Sequence, residues 1–459
     1  MAFLLNMMTY FKYLIIFLVV FLPVKLSGSP LKIVFVFTGE EFGNLVPCGC
    51  FHGQIGGIPR RHTCIDSIVE ANENNIVIPV SLGDLINGSG RQEEIKMEIL
   101  FRAMEEMGYI LHNIGEKDIE IGPQVISYLS QTKKTAFLAS NIGFNTPFPI
   151  EINQYLLKEY IDSGSRFRIA FLGILSPSLL DKGSSGYVTI DNPRQVLEPL
   201  IMELQDKANF IVLLSHAPRE ESEEIANYFP EIDLIITGHN HDADESENLI
   251  TYVNDTPIVS AGKDGKYVGI ARYLVKNGIA EKKSIEIVPL DDTFKDSQKM
   301  LYLLKEYQQI LRDEDLLRKT PQLTIPNELS YVGSVACKTC HKAIYAHWSK
   351  TRHNSSYHTL LSSGYQYDPE CIKCHTTGYG YVTGFSNYEE NRNLIHVGCE
   401  SCHGAGSGHI KNITDKSYGF VKRGTCEICH DSQHSPGFQF DTFWKKIRHP
   451  EETPINTGG

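Results

Sequence analysis

The chain predicts an α/β domain with buried strands, followed by a small, mainly α or irregular domain, and two observations predict this. Between Pro30 and about Leu290, the β-branched runs KIVFVF, IVIPVSL, FRIAFLGIL, FIVLLSH and DLIITGH alternate with helical stretches, as strands covered on both faces do. After about residue 330 that periodicity ends. There Cys-x-x-Cys-His occurs four times, at Cys337/Cys340/His341, Cys371/Cys374/His375, Cys399/Cys402/His403 and Cys426/Cys429/His430. A length of 459 residues exceeds what one hydrophobic core usually serves, and 42% apolar content is ordinary for globular protein.

Residues 1–29 read as an export signal. Lys12 precedes the apolar run Tyr13 to Leu22, and Pro23 to Ser29 is short and small. The run is too short for a comfortable membrane span, so a cleaved signal is the first expectation and a retained membrane anchor the alternative. No Cys follows the run to accept a lipid. A formal net charge of −12 argues against a nucleic-acid partner.

Within residues 30–290, polar side chains gather just after the predicted strand ends: Glu40, Asp84, Glu116, His216, His239 and His241. Ligands bind at strand C-termini in such folds, and imidazole together with carboxylate suits Zn, Mn or Fe. The plainer alternative is that His216 and His239 only hydrogen-bond at strand ends.

Gly83-Asp84, His216 in LLSHAP, and Gly-His-x-His at Gly238 to His241 resemble the calcineurin-like metallophosphoesterases, and most of all their 5′-nucleotidase branch. The resemblance implies an α/β sandwich, two metals bridged by one Asp, here Asp84, and a metal-activated water that attacks phosphorus. Two positions depart from the pattern. Where the family has Asp-x-His, this chain has Glu40 and Phe42; where the family has Gly-Asn-His-Glu, it has Gly115-Glu116-Lys117-Asp118. By the family's pattern, one metal site keeps Asp84, Glu116, His216 and His239. The other keeps only Glu40, Asp84 and His241, and Lys117 stands where the catalytic His would be. The resemblance therefore implies one or two divalent metals and a phosphoester or other anion as ligand, with hydrolysis impaired.

Cys48, Cys50 and His52 follow the altered first motif, and Gly56-Gly57 with Arg60-Arg61 resembles the corresponding 5′-nucleotidase stretch. The two thiols read either as replacement soft metal ligands or as one partner for a disulfide with Cys64. From Asp291 to about Arg318, Leu301, Leu304, Ile310, Leu311 and Leu317 are spaced for one amphipathic helix. Thr320 to Ser330 contains two Pro and reads as a linker, so residues 291–330 stand between the two domains. No aromatic nucleotide-recognising domain follows, as it would in a 5′-nucleotidase.

In residues 331–459, each pair of thiols in a Cys-x-x-Cys-His motif can form thioethers to one porphyrin, with the adjacent His as proximal iron ligand. Zinc ribbons also use Cys-x-x-Cys pairs, but they give no reason for a His after all four. Eleven of the 17 His residues lie beyond position 330, which leaves seven outside the motifs as candidate sixth ligands. Four c-type haems are the expectation, and an exported chain suits their attachment. The segments HWSKTRHNSSYHTLL, GCESCHGAGSGH and the last motif with SPGF and His449 resemble the tetrahaem cytochromes of nitrification. That resemblance implies His353, His409 and His449 as distal ligands and an open haem at His375 that could take a small molecule such as nitric oxide, the alternative being that His347, His358, His396 or His434 fills that position.

The sequence thus points to an exported, periplasmic electron carrier with redox protein partners. The alternatives are a metal-dependent phosphohydrolase with an accessory cytochrome, and redox chemistry of nitrogen oxides at one haem.

Overall fold

In a computed structural model, residues 31–449 are described except 48–52, 74, 163–164, 181–185, 240–248, 277, 415–417, 420 and 432–433. The N-terminal segment 1–29, Cys48, Cys50, His52 and His241 lie outside the described residues. In chain order the strands are β1 Leu31–Thr38, β2 Ile76–Ser81, β3 Leu111–Asn113, β4 Ala136–Leu138, β5 Ile142–Phe144, β6 Tyr155–Asp162 and β7 Ser165–Leu175. They continue with β8 Val188–Ile190, β9 Phe210–His216, β10 Leu234–Thr237, β11 Ile250–Val253, β12 Thr256–Val259, β13 Tyr267–Lys276 and β14 Ile279–Pro289.

Two six-stranded sheets carry the domain, in the orders β14-β13-β1-β2-β3-β4 and β11-β12-β10-β9-β7-β6. The pairs β1-β2, β2-β3 and β3-β4 are parallel, as are β7-β9, β9-β10 and β10-β12. Antiparallel strands close the edges, at β13 and β14 on one sheet and at β6 and β11 on the other.

Alternation along β1 shows how the layers form. Ile33, Phe35 and Phe37 point into the space between the sheets, where they meet Phe171, Phe210 and Leu214. Val34 and Val36 point the other way, into a layer built by helices Ile58–Glu70, Arg91–Glu106 and Gln298–Asp313. Burial on both faces is why the strand reads as an unbroken apolar run. At the centre, Phe35 stacks on Phe210 with ring centroids 5.6 Å apart and meets Phe171 and Tyr273 edge-on. Helices Pro193–Leu204 and Arg219–Tyr228 cover the second sheet. Helix, sheet, sheet and helix stack as four layers, the metallophosphoesterase-like sandwich.

The segment after β14 differs in detail from its expected form. Its helix Gln298–Asp313 buries Met300, Leu303, Leu304, Tyr307 and Leu311 in the first domain's core, while Leu301 and Ile310 are only partly buried. The helix then breaks where Asp315 takes a left-handed φ of 52°, and a separate turn, Leu316–Lys319, follows. Leu316 joins the first core and its neighbour Leu317 joins the last, so this turn straddles the two domains. Beyond it, Leu323 lies alongside the C-terminal domain: its N–H donates to Gly380 O at 2.8 Å, and its carbonyl accepts from Val382 N at 3.0 Å.

After residue 331 the helices are short, the longest being Ser356–Ser363 and Phe440–Ile447 at eight residues each. Among the described residues, a small apolar cluster packs there, chiefly Leu317, Tyr357, Leu360, Ile372, Phe385 and Leu394. Polar ties do much of the joining. The buried Glu400 carboxylate accepts from the backbone N–H groups of Val332, Gly333 and Gly406 at 2.7 to 3.1 Å, holding the third Cys-x-x-Cys-His motif against the start of the domain.

Because Leu304 is buried and Leu301 is not, truncation should separate them. We expect Leu304→Ala to cost about 2–5 kcal/mol of unfolding free energy in equilibrium denaturation, and Leu301→Ala clearly less.

Candidate metal centre and haem-binding histidines

The acidic and imidazole side chains at the strand ends meet at one end of the sandwich. His216 is the last residue of β9, and Glu40, Asp84, Glu116 and His239 follow β1, β2, β3 and β10 within a few residues. Four non-glycine residues there, Glu40, Phe42, Asp84 and His239, have left-handed φ values of 49° to 57°. Such conformations cost free energy and persist where the surroundings over-determine them.

The Asp84 loop shows what holds it. Asp118 accepts hydrogen bonds from the N–H groups of Asp84 (2.8 Å), Leu85 (2.9 Å) and Gly115 (2.9 Å). His112, whose other ring nitrogen meets Ser81 Oγ at 3.0 Å, lies 3.2 Å from the same carboxylate. Gly83 and Gly115 allow the two loops to touch. A Cβ at Gly115 would lie 2.1 Å from Asp84 Oδ1, and Gly83 has a φ of 104°. On the other side, Glu41 and Arg61 form a fully buried ion pair of 2.7 Å next to Glu40. Asp118 stands in the same Gly-Glu-Lys-Asp run as Glu116, a signal the sequence did offer. Nothing in the sequence marks His112 or Glu41.

At the centre, Asp84, Glu116 and His216 each present a donor atom within 4.8 Å of the others. His216 Nδ1 donates to Leu82 O at 3.0 Å, which turns Nε2 toward Glu116 Oε2 (2.7 Å) and Asp84 Oδ2 (3.4 Å). His239 Nε2 meets Glu116 Oε1 at 3.0 Å, and its backbone N–H donates to Glu40 Oε1 at 2.9 Å.

Burial and mutual charge set the protonation. Burial, reinforced by Asp84, pushes Glu40 up to about 7, and burial lifts Asp84 to about 6 against the opposing pull of His216. Burial also acts on Glu116, but hydrogen bonds from His216 and His239 overcome it and hold that carboxyl well below its usual range. The buried imidazole of His216 is driven well above its ordinary value because Asp84 and Glu116 outweigh desolvation. Asp84 Oδ2 is buried and makes no hydrogen bond among the described residues. An orphaned carboxylate oxygen beside an imidazole nitrogen is a donor set that fits a divalent cation.

Phe42 stands where an imidazole would complete a second set, and His241 lies outside the described residues. Lys117 serves the site through its backbone, donating to Asp84 Oδ1 at 2.8 Å, while its ammonium pairs with Glu120 at 2.8 Å one turn along its own helix.

In the second domain, three motif histidines each face one of the three candidate distal histidines. Ring centroids are 6.2 Å apart for His341 and His409, 6.2 Å for His353 and His430, and 6.1 Å for His403 and His449. His375 Nδ1 bonds to Ser356 O at 2.7 Å, and His403 Nδ1 to Gly419 O at 2.9 Å, an orientation in which Nε2 of each is the nitrogen that could take a metal. The motifs also approach one another. The thiols of Cys337 and Cys399 lie close to one another, as do those of Cys374 and Cys429, and Cys402 lies within electrostatic reach of Cys426. In space the four motifs therefore run first, third, fourth, second.

Cys340 departs from the equivalence that the sequence gives the eight motif thiols. It is exposed, whereas Cys337, Cys371, Cys374, Cys399, Cys402, Cys426 and Cys429 are all partly buried. The reason is local: helix Ser334–Lys338 ends two residues earlier, and Cys340 sits in the turn beyond it, its N–H donating to Cys337 O at 3.3 Å.

Residues 336–404 match the family model of cytochrome c554 and c-prime. Cytochrome c-554 of Nitrosomonas europaea is 27% identical over 124 residues, which cover 24% of this chain and 53% of that protein. The protein UshA of Salmonella pullorum is 24% identical over 296 residues, 57% of this chain and 52% of UshA. Among solved structures, a 5′-nucleotidase precursor from Thermus thermophilus superposes with a TM-score of 0.53 at 17% identity, covering 73% of this chain and 68% of that one. The chain is a 5′-nucleotidase-type phosphoesterase fold joined to a cytochrome c554-type domain. It spans about half the length of the UshA and cytochrome c-554 relatives. The cytochrome c554 match implies c-type haem, and the phosphoesterase fold implies divalent metal.

Loading with Zn or Mn followed by dialysis and elemental analysis checks the metal set. We expect Asp84→Asn and His216→Ala to lose the bound ion and Lys117→Ala to keep it, because the lysine's contribution to Asp84 is a backbone amide.

Proposed function

We propose that this protein is an exported electron carrier that holds four c-type haems in its cytochrome c554-type domain and one divalent metal in its phosphoesterase-type domain. The observation that carries this reading is the set of three His–His separations. Two metal–imidazole bonds of roughly 2 Å each, plus about 1 Å from each ligating nitrogen to its ring centre, put the centroids of a bis-imidazole pair about 6 Å apart. The observed 6.1 to 6.2 Å supports His341/His409, His430/His353 and His403/His449 as axial pairs.

When bound, haem supplies reversible one-electron chemistry at iron. The chain's part is to fix ligand orientation. Tyr418 stacks on His409 with centroids 4.8 Å apart, and Phe438 stacks on His430 at 4.7 Å. The adjacency of motifs one, three, four and two supports a continuous relay between redox partner proteins at its two ends.

This ligand set assigns no sixth ligand to the haem at His375. Of the remaining histidines, His358 and His396 lie edge to face at 4.8 Å, His434 bonds to Asp431 at 2.9 Å, and His347 has a buried Nε2 that makes no hydrogen bond among the described residues. Small-molecule chemistry is therefore tested at the His375 haem. In the first domain, Asp84, Glu116, His216 and His239 support one metal site. Hydrolysis of a phosphoester would have to proceed without the imidazole that Phe42 replaces and with Lys117 engaged by Glu120.

Haem quantification and low-temperature EPR of protein matured with c-type haem machinery test the relay. We expect four haems per chain, and His353→Ala, His409→Ala and His449→Ala should each convert one low-spin centre to high-spin. Fewer than four haems, or low-spin spectra unmoved by all three substitutions, would sink the reading. Carbon monoxide binding by the wild type would add small-molecule chemistry at His375, and metal-dependent turnover of a chromogenic phosphoester abolished by Asp84→Asn would favour a phosphohydrolase.

A further inference from the structure

The boundary between the two domains buries a carboxyl group against the helix that carries the second haem motif. Asp368 is 6% exposed and caps helix Pro369–His375, accepting from Glu370 N at 3.0 Å. That helix holds Cys371, Cys374 and His375. From the first domain, Gln92 Nε2 donates to Asp368 Oδ1 at 2.9 Å and also to Tyr307 Oη at 2.9 Å, while Gln308 Nε2 approaches Asp368 Oδ2 at 3.4 Å.

Titratable groups flank the carboxyl from both domains. Lys96, buried on helix Arg91–Glu106, pairs with Glu93 at 3.0 Å and across the boundary with Glu370 at 2.5 Å, and Glu370 reaches solvent. The hydroxyls of Tyr307, Tyr365 and Tyr379 also lie within electrostatic reach of Asp368, and those of Tyr307 and Tyr365 within reach of Cys371. Burial first, then Glu370, lifts the Asp368 carboxyl above its ordinary range, while Lys96 and the N–H donors oppose them.

Gln308 Oε1 adds an independent observation. It is buried and makes no hydrogen bond among the described residues. An ionised Asp368 is acceptor-only and is served by Gln92, Gln308 and the Glu370 amide. A protonated Asp368 has an O–H that needs an acceptor, and rotating the Gln308 amide presents Oε1 for it. The pocket can therefore satisfy both protonation states, where most buried polar sites satisfy one.

We propose that Asp368 takes up a proton when the haem held at Cys371, Cys374 and His375 is reduced, coupling electron transfer in the cytochrome domain to a group walled in by the phosphoesterase domain. This rests on the haem reading above. One electron from a redox partner protein converts ferric to ferrous iron, and one proton from solvent converts the Asp368 carboxylate to the acid. No other bond changes. The added electron makes the haem more negative, which raises the proton affinity of a nearby carboxylate. The haem's potential therefore falls as pH rises between the group's pKa in the oxidised protein and its higher pKa in the reduced one.

The test is spectroelectrochemical titration of the full-length holoprotein across neutral pH, with haem counted on the same sample. Expected is one couple of the four falling by about 59 mV for each tenfold drop in proton concentration within its window. Asp368→Asn, which keeps a good helix cap, should flatten that couple and leave the others' slopes unchanged. Glu370→Gln, on an exposed side chain, should move the window to lower pH by removing a like charge. Reduced-minus-oxidised infrared difference spectra should show a protonated-carboxyl C=O band that Asp368→Asn removes. A pH-independent wild type, or a slope and band that survive Asp368→Asn, overturns the coupling while leaving the haem assignment intact. Absence of haem at Cys371 and Cys374 overturns the haem reading and the coupling together.

Discussion

The metal centre depends on Asp118 holding three backbone N–H groups at once. Asp84, Leu85 and Gly115 all donate to that one buried carboxylate, which ties the loop after β2 to the loop after β3. Without it, Asp84 would not keep its left-handed backbone, and Glu116 would not meet His216 and His239. The carboxylate is itself held ionised: burial opposes this, but His112 and the donated amides lower its pKa. One anion buried among N–H donors and an imidazole thus sets the geometry of a site whose own residues repel one another.

The two domains answer the cost of ordering a chain in different ways. The first buries large aromatic and branched side chains between two sheets and under helices on both sides. The second packs only a small apolar cluster and relies on buried hydrogen bonds such as those of Glu400. Its helices are too short to be stable alone. Covalently held haem, as implied by the cytochrome c554 match, would supply the missing apolar surface, and the facing imidazoles leave room for it. The helix Gln298–Asp313 belongs to the first core, the Leu316–Lys319 turn spans both, and Gln92 and Lys96 bond to Asp368 and Glu370, so the second Cys-x-x-Cys-His motif is anchored against the first domain.

Much of the site was legible because its parts are local. Gly83-Asp84, Gly115-Glu116, His216 and Gly238-His239 each sit within a few residues of a strand's end, and a β-branched run followed by a polar turn marks that place in one dimension. The loss at Phe42 was legible for the same reason. Lys117 was less so: the sequence placed it beside the site, but the side chain's partner, Glu120, depends on the helix that forms there. His112 and Glu41 gave no signal because their roles come from contacts with residues 6 and 20 positions away, Asp118 and Arg61.

By itself the sequence determined the α/β fold class, the change of character after it, the four Cys-x-x-Cys-His motifs and the strand-end residues, because each rests on a short local pattern. Tertiary structure alone decided which histidine faces which. His353 meets the fourth motif, His409 the first and His449 the third, and the motifs line up in space in an order their positions along the chain do not give. It also decided that Cys340 is exposed where the other motif thiols are partly buried, and that Asp368 is enclosed by Gln92 and Gln308, residues 276 and 60 positions earlier. Such pairings and exposures depend on how layers stack once both domains are folded, and no local propensity carries that information.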